Sequence, residues 1–536
     1  MADRSIERLA ERAETLAGAW GARARGSTTL GQERALLRLF GVTGLDRSGR
    51  PLAGAAVDRW LSSARDGLGG GIALSFAMAL IEYDLDPQQL ALDVASGAID
   101  LALEAELLRE PDRRQVAFAE ARRMVDSAVE RIDADRVARR ELVDLLGDAR
   151  RPWIGTTLAE PDVDEALDEA AALASAGYDL IRVEVPIGRE LADRMQSAGV
   201  EPPEWRPSDR GGSGRTGDID DDPAPSGSQR ALARLRRAAD GVSAQRRGYV
   251  RLGTAIPPLG VPEGAVVAAF ERVDLVEADP VAEIVDGGVD PDRSLADHAF
   301  ARRLHRRADT FVSIGPGPLV VAPDLASGVP SDPSTRSGRA LALQLLGVAL
   351  ARADGISPDR IVVGAYPAWL ADEPSAVARI LAEVDLRRSL FPDHLIRFDE
   401  PADGSRAAAA WPYVVAASVA RTGPMAVLMR HRRADMAAAA NDARAAARTA
   451  ADVGAVSQRR ALHGVASEHA SAMVAAAMTT IERLSDLGWR AVVGDPPRSP
   501  GRARGGETWA IGGDAVAERT EAFDPLAPFD EDRLPA

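Results

Sequence analysis

Residues 248–279 read GYVRLGTAIPPLGVPEGAVVAAFERVDLVEAD. Two short apolar, β-branched runs, Tyr249–Ile256 and Asp274–Ala278, flank a run of helical texture, Pro262–Arg272. Near-continuous apolar strands separated by a helix indicate a parallel sheet buried on both faces. The unit recurs in both directions. Further strand-like runs are Trp153–Leu158, Asp179–Pro186, Thr310–Ile314, Arg360–Ala365, Leu395–Phe398 and Met425–Met429. Helical runs fall between and after them, at Val163–Ala176, Gln229–Ala244, Leu295–Arg307, Ser337–Asp354, Ser375–Leu390, Ala407–Arg421 and Ala434–Val453. Eight such units favour an α/β fold closed as a (β/α)8 TIM barrel over residues 151–455. The rival is an open doubly wound sheet with one or two strands misread.

Either side of this region the texture is helical. Residues 1–150 carry amphipathic runs such as Arg4–Trp20, Gly71–Tyr83 and Arg114–Leu146, with no strand-like alternation. Thr28-Thr29-Leu-Gly-Gln-Glu33 offers a capped helix start. Residues 456–536 open with a helix over Ala461–Leu487, and a Gly-, Pro- and Arg-rich tail from Pro496 reads as partly extended. The stretch Ser208–Ser228, SDRGGSGRTGDIDDDPAPSGS, reads as a flexible insert after the second strand, a lid or plain surface disorder.

Composition removes several function classes. The 536 residues carry a formal net charge of −16, a field that repels phosphate backbones and anionic membranes. The longest apolar run, Ala340–Ala351, is interrupted by Gln344 and is too short to span a bilayer. The N-terminus has no apolar signal core, so a soluble cytoplasmic protein is expected. There is no cysteine, hence no disulfide or thiolate chemistry. There is also no lysine: all 65 basic residues are arginine, and a guanidinium does not lose the proton that imine formation requires.

Active sites of this fold sit where the strands end. Glu277, Asp279, Asp399 and Glu400 stand at the ends of strands four and seven, as acid/base groups or amine-binding anions, or as caps of the following helices. Arg397 lies in strand seven. Gly188 and Arg189 follow strand two, Thr254 closes strand three, and Gly315 and Gly317 form a turn after strand five that could approach a phosphate. Arg430–Arg433 reads equally well as an anion site or a solvated patch. The six histidines form no metal set, and no Asp-x-His-x-x-Gly pattern is present.

With these residues in place, the chain resembles the D-lysine 5,6-aminomutase alpha-subunit family and its ornithine 4,5-aminomutase relatives. The stretches that carry the likeness are STTLGQERALLRLFGVTGLD at 27–46, PLAGAAVDRWL at 51–61 and LALDVASGAIDL at 90–101. Further along come GYVRLGTAIPPLGVPE at 248–263, AFERVDLVEAD at 269–279, ADHAFARR at 296–303 and LFPDHLIRFDEP at 390–401. The resemblance implies a barrel alpha subunit paired with a smaller beta subunit, as α2β2. The beta subunit would carry the cobalamin-binding domain and the lysine that holds pyridoxal 5′-phosphate (PLP). It further implies a radical 1,2-shift of an amino group using adenosylcobalamin and PLP. By the same likeness Arg397 takes the place of a substrate-facing lysine. The family's phosphate loop falls on Val185–Glu190, where only Gly188 is kept and Glu190 opposes a phosphate. Pro257, Ala282, Gly287 and the pair Gly317-Pro318 also replace family residues that touch PLP. Two alternatives therefore stand beside an aminomutase subunit: a cobalamin-dependent mutase that has lost PLP, and a non-catalytic barrel partner.

Overall fold

The computed structural model describes residues 2–64, 67–149, 151–158, 163–184, 227–285, 289–315, 332–365, 376–400, 425–430, 440–441, 463–493, 516–520 and 523–530. Eight parallel strands form a closed barrel in chain order: β2 Trp153–Thr157, β3 Leu180–Glu184, β4 Arg251–Ala255, β5 Leu275–Glu277, β6 Phe311–Ile314, β7 Ile361–Ala365, β8 Leu395–Asp399 and β9 Ala426–Arg430. β9 pairs back onto β2, with Trp153 opposite Val427 and Thr156 opposite Arg430. Closure removes the edges an open sheet would leave, and it settles the choice between the two folds in favour of the barrel. Each strand lies within two residues of its expected position, because a strand buried on both faces is written as a local apolar run.

Alternation sorts the strand residues into two cores. Ile154, Ile181, Leu252, Val276, Val312, Val363, Ile396 and Leu428 face outward and pack under the helices. Trp153, Leu180, Leu275, Phe311, Val362, Leu395 and Val427 point inward and fill the barrel. At the N-terminal ends of the strands the fill is aromatic and cationic. Trp153 and Phe311 meet edge to face at 5.3 Å, and the Arg251 guanidinium sits 3.7 Å from the Trp153 ring centre. That end is plugged by side chains.

The helices are drawn tight against the strands. A Cβ at Gly347, in the Pro333–Ala353 helix, would lie 2.8 Å from Ile314 Cγ2 of β6. On the outer side of the same helix, a Cβ at Gly338 would lie 2.5 Å from the Met473 carbonyl oxygen, in the His463–Leu487 helix. The first helix, Ala2–Arg25, packs on both of these helices, with Trp20 against Trp489 at 4.6 Å.

The N-terminal region departs from its helical reading where it contributes a strand. Ser27–Thr29 forms a short strand, β1, antiparallel to β10, Val516–Glu518, from the far end of the chain. Thr29 also caps the Leu30–Leu39 helix, accepting from the Gln32 N–H, so one dipeptide serves strand and cap. Beyond β10, Phe523, Leu526 and Phe529 bury against the N-terminal helices. Asp524 and Asp530 pair with Arg303. The insert at 208–228 and the helices at 407–421 and 434–453 fall almost wholly outside the described residues. Among the described residues no helix is long and apolar enough to cross a membrane.

Candidate active site

The inward side chains at the C-terminal ends of the strands are charged, and they meet. Glu277, last residue of β5, accepts from Arg397 Nη1 on β8 at 2.6 Å with one oxygen and from Arg182 Nη1 on β3 at 2.7 Å with the other. Arg397 Nη1 also donates to Ser313 Oγ of β6 at 2.8 Å, and its Nε to Asp399 Oδ2 at 3.2 Å. Two residues apart on one strand, Arg397 and Asp399 share the inner face. The four charges balance, two against two, on a floor whose underside is the apolar barrel fill. All four side chains are partly buried, 14–28% exposed.

The groups titrate differently. Burial pushes Glu277 up, but Arg397 and Arg182 outweigh it and hold the carboxylate below its ordinary range. Burial lowers Arg397, and Asp399 and Glu277 more than restore it. Asp399 goes the other way: burial, aided by the negative charge of Glu277, prevails over Arg397 and raises it. The floor thus holds one acid biased toward its ionised form and one biased toward its neutral form.

Among the described residues, two atoms of this network carry no hydrogen bond. Arg397 makes its contacts through Nε and Nη1, leaving Nη2, and Asp399 uses only Oδ2, leaving Oδ1. Nη2 lies beside Gly315. A Cβ at Gly315 would come 3.3 Å from Gly364 Cα and 3.8 Å from Arg397 Nη2, so a longer side chain there would crowd Nη2. A guanidinium N–H beside a carboxylate oxygen complements the carboxylate and ammonium of an amino acid.

Not every expected residue joins this floor. Glu277, Arg397 and Asp399 do, and Gly315 borders it. Thr254 does not. It sits opposite Val183 and Val276, both outward-facing, so alternation turns its buried hydroxyl toward the helices, where it bonds the Ala255 carbonyl. Asp279 does not either. Its carboxylate accepts from the Val281 N–H as cap of the Pro280–Val285 helix, and its Oδ1 would lie 3.2 Å from a Cβ at Gly347, outside the barrel wall. Gly188, Arg189 and Gly317 lie outside the described residues, as do His431–Arg433. Arg182 and Ser313 were not anticipated. Their signal was present: each is a polar residue two positions after an inward apolar one, in Leu-Ile-Arg-Val-Glu and Phe-Val-Ser-Ile.

Burial raises Asp279 to about 6, against hydrogen bonds from backbone N–H groups and the charge of Arg302. A carboxyl raised above its unfolded value binds more protons folded than unfolded, so its contribution to stability is lost as pH rises through that window. Asp279→Asn keeps the capping oxygen and removes the charge. Thermal melts should show it stabilised by about 1–2 kcal/mol at pH 8 and unchanged at about pH 3, below the unfolded pKa. Equal shifts at both pH values would contradict this.

A closed (β/α)8 barrel with an acid–arginine floor at the carboxyl ends of its strands is the architecture of a barrel enzyme. Its sequence is matched over residues 1–405 by the model of the D-lysine 5,6-aminomutase TIM-barrel domain of alpha subunit, and the chain belongs to that family. It is 25% identical over 375 residues to the lysine 5,6-aminomutase alpha subunit of Fusobacterium nucleatum, and 24% identical over 375 residues to that of Acetoanaerobium sticklandii. Each match covers 70% of this chain and 66% of the relative, so it spans just under two thirds of those proteins. Among solved structures, a Yersinia pestis dihydropteroate synthase aligns at 13% identity and TM-score 0.32, over 57% of this chain and 99% of that one. A Burkholderia cenocepacia dihydropteroate synthase aligns at 17% and 0.33, over 56% and 94%. Likenesses of that size carry no functional weight.

The described residues do not by themselves make a cofactor site. With no lysine the chain offers no amine for a covalent link to PLP. All but one of the Arg397 nitrogens are spent on neighbouring groups, too few donors for a phosphate dianion. Among the described residues no cluster of His, Asp and Glu could hold a metal. The floor suits a substrate head group.

Proposed function

We propose that this chain is the barrel subunit of an amino-acid aminomutase, an isomerase that shifts an amino group between neighbouring carbons and works with a companion subunit. The observation that carries the reading is the Arg397–Asp399 pair: one unengaged donor and one unengaged acceptor, side by side at the mouth of a family-matched barrel. Arg397 Nη2 takes the substrate carboxylate. Asp399 Oδ1 faces the ammonium. Glu277 neutralises Arg397 without competing for substrate, because both its oxygens are occupied. The apolar fill below keeps water from the floor.

In this reading adenosylcobalamin and PLP belong to the enzyme, and a beta subunit with the cobalamin-binding domain anchors both, the assembly being α2β2 and cytoplasmic. The missing lysine supports that division of labour. The test is to co-express the chain with a subunit carrying a cobalamin-binding domain, record absorption spectra and the mass of the complex, and titrate in D-lysine by calorimetry. Bands of both cofactors and a saturable heat are expected. Cobalamin absorption alone would move the assignment to a mutase without PLP. If no complex forms and D-lysine is not bound, the reading fails and a non-catalytic barrel remains.

A further inference from the structure

Behind the floor runs a chain of buried polar side chains that the head-group reading does not use. Gln344, 1% exposed on the Pro333–Ala353 helix, donates from Nε2 to the Gly364 carbonyl of β7 at 2.5 Å. Its Oε1 accepts from Arg387 Nε at 3.0 Å. Arg387, fully buried, donates to Glu383 Oε2 at 2.9 Å. Glu383 Oε1 accepts from Ser337 Oγ at 2.5 Å and lies 3.5 Å from His469 Nε2, on the His463–Leu487 helix. His469 Nδ1 is 2.9 Å from Ser334 Oγ. Buried polar groups are costly unless each is satisfied, and a helix otherwise lined with Ala and Leu has no packing need for Gln344.

Its partner explains it. The ladder between β6 and β7 pairs Val312 with Ile361, Ser313 with Val362 and Ile314 with Val363, and stops there. The next residues, Gly315 and Gly364, lie in close approach, a Cβ at Gly315 falling 3.3 Å from Gly364 Cα, and Gly364 is the register partner of Arg397 on β8. The ladder to β6 ends before Gly364, and Gln344 supplies the Gly364 carbonyl with a buried donor. Arg387 can only donate, so it must face Oε1 of the amide, which turns Nε2 toward Gly364.

We propose that Gln344 is a positioning residue. It fixes the end of β7 at Gly364, the strand partner of Arg397, and so sets where Arg397 presents Nη2 to its ligand, while Arg387 and Glu383 on the Ala376–Leu390 helix and His469 on the C-terminal helix hold its amide in register. The proposal rests on the head-group reading of the floor.

The test uses the full chain, with D-lysine as probe and amide hydrogen exchange as a second readout. Gln344→Met keeps volume and removes both hydrogen bonds. Leu346→Ala, a buried truncation on the same helix, is the control for lost stability alone. Gln344→His keeps a donor and an acceptor nitrogen. Gln344→Met should raise the D-lysine Kd about tenfold and hasten exchange in residues 361–365. Leu346→Ala should do neither, and Gln344→His should return the Kd to within about threefold of wild type. An unchanged Kd in Gln344→Met, or an equal rise in Leu346→Ala, overturns the proposal. If wild type binds no D-lysine, the head-group reading has failed. Exchange then decides: no faster exchange at 361–365 in Gln344→Met than in Leu346→Ala refutes the positioning role. Should Gln344→Met not fold, Gln344→Glu is read by the same criteria, because it keeps the Arg387 contact and loses the donor to Gly364.

Discussion

Arg397→Met is expected to weaken D-lysine binding to the full chain by about a hundredfold, the value of a hydrogen-bonded charge pair in a partly dry site. The side chain does four things at once. It meets Glu277, Ser313 and Asp399, and it leaves Nη2 beside Gly315. Methionine keeps the stem and loses all four. Glu277 retains Arg182, so the carboxylate is not stranded and the barrel should fold. Its pKa rises once the larger of its two stabilising cations is gone. Arg397→Lys is the informative companion. It keeps the charge but not the fork, so it should keep Glu277 ionised while still binding D-lysine about tenfold more weakly. Calorimetry on both variants measures the effect. Wild-type affinity in Arg397→Met would remove Arg397 from the site.

The second large effect is on stability. Arg387→Met should cost about 3–5 kcal/mol, the usual penalty for stranding one member of a buried ion pair. Both partners lie away from water, Arg387 at 0% and the Glu383 side chain at 3% exposure. In the wild type burial pushes Glu383 up, but His469, Arg387 and Ser337 together hold it below the ordinary range. A depressed carboxylate contributes stability above its unfolded pKa and loses it as pH falls through the folded one. Without Arg387, burial prevails and the sign inverts: the variant should gain stability on acidification from pH 7 to pH 5. Denaturant unfolding across that range gives the answer. A pH slope like that of the wild type would show that Arg387 is not what holds Glu383 charged.

How much of this was legible beforehand depends on the range of the forces involved. The eight strands could be read because a strand buried on both faces writes its burial into five consecutive residues, as in Ile361–Ala365. Glu277 and Asp399 could be found because a barrel presents chemistry at strand ends, wherever those ends fall. Asp279 stood as close to a strand end as Glu277, but one more residue carried it over the rim into a helix cap. Thr254 was lost by parity: a shift of one position decides between inside and outside.

The amino-acid order by itself determined the local quantities: which runs extend, which coil, that no amine or thiol of this chain can enter the chemistry, and that one polar residue interrupts the apolar run at Gln344. Only the tertiary structure decided which distant groups meet. Ser27–Thr29 became a strand because residues 516–518 supply its partner. Arg182, Glu277, Ser313 and Arg397 became one network because closing the ring brings four separate strands to a common floor. Hydrogen bonds and ion pairs act over a few ångströms of space and are indifferent to separation along the chain, so no local pattern could announce them.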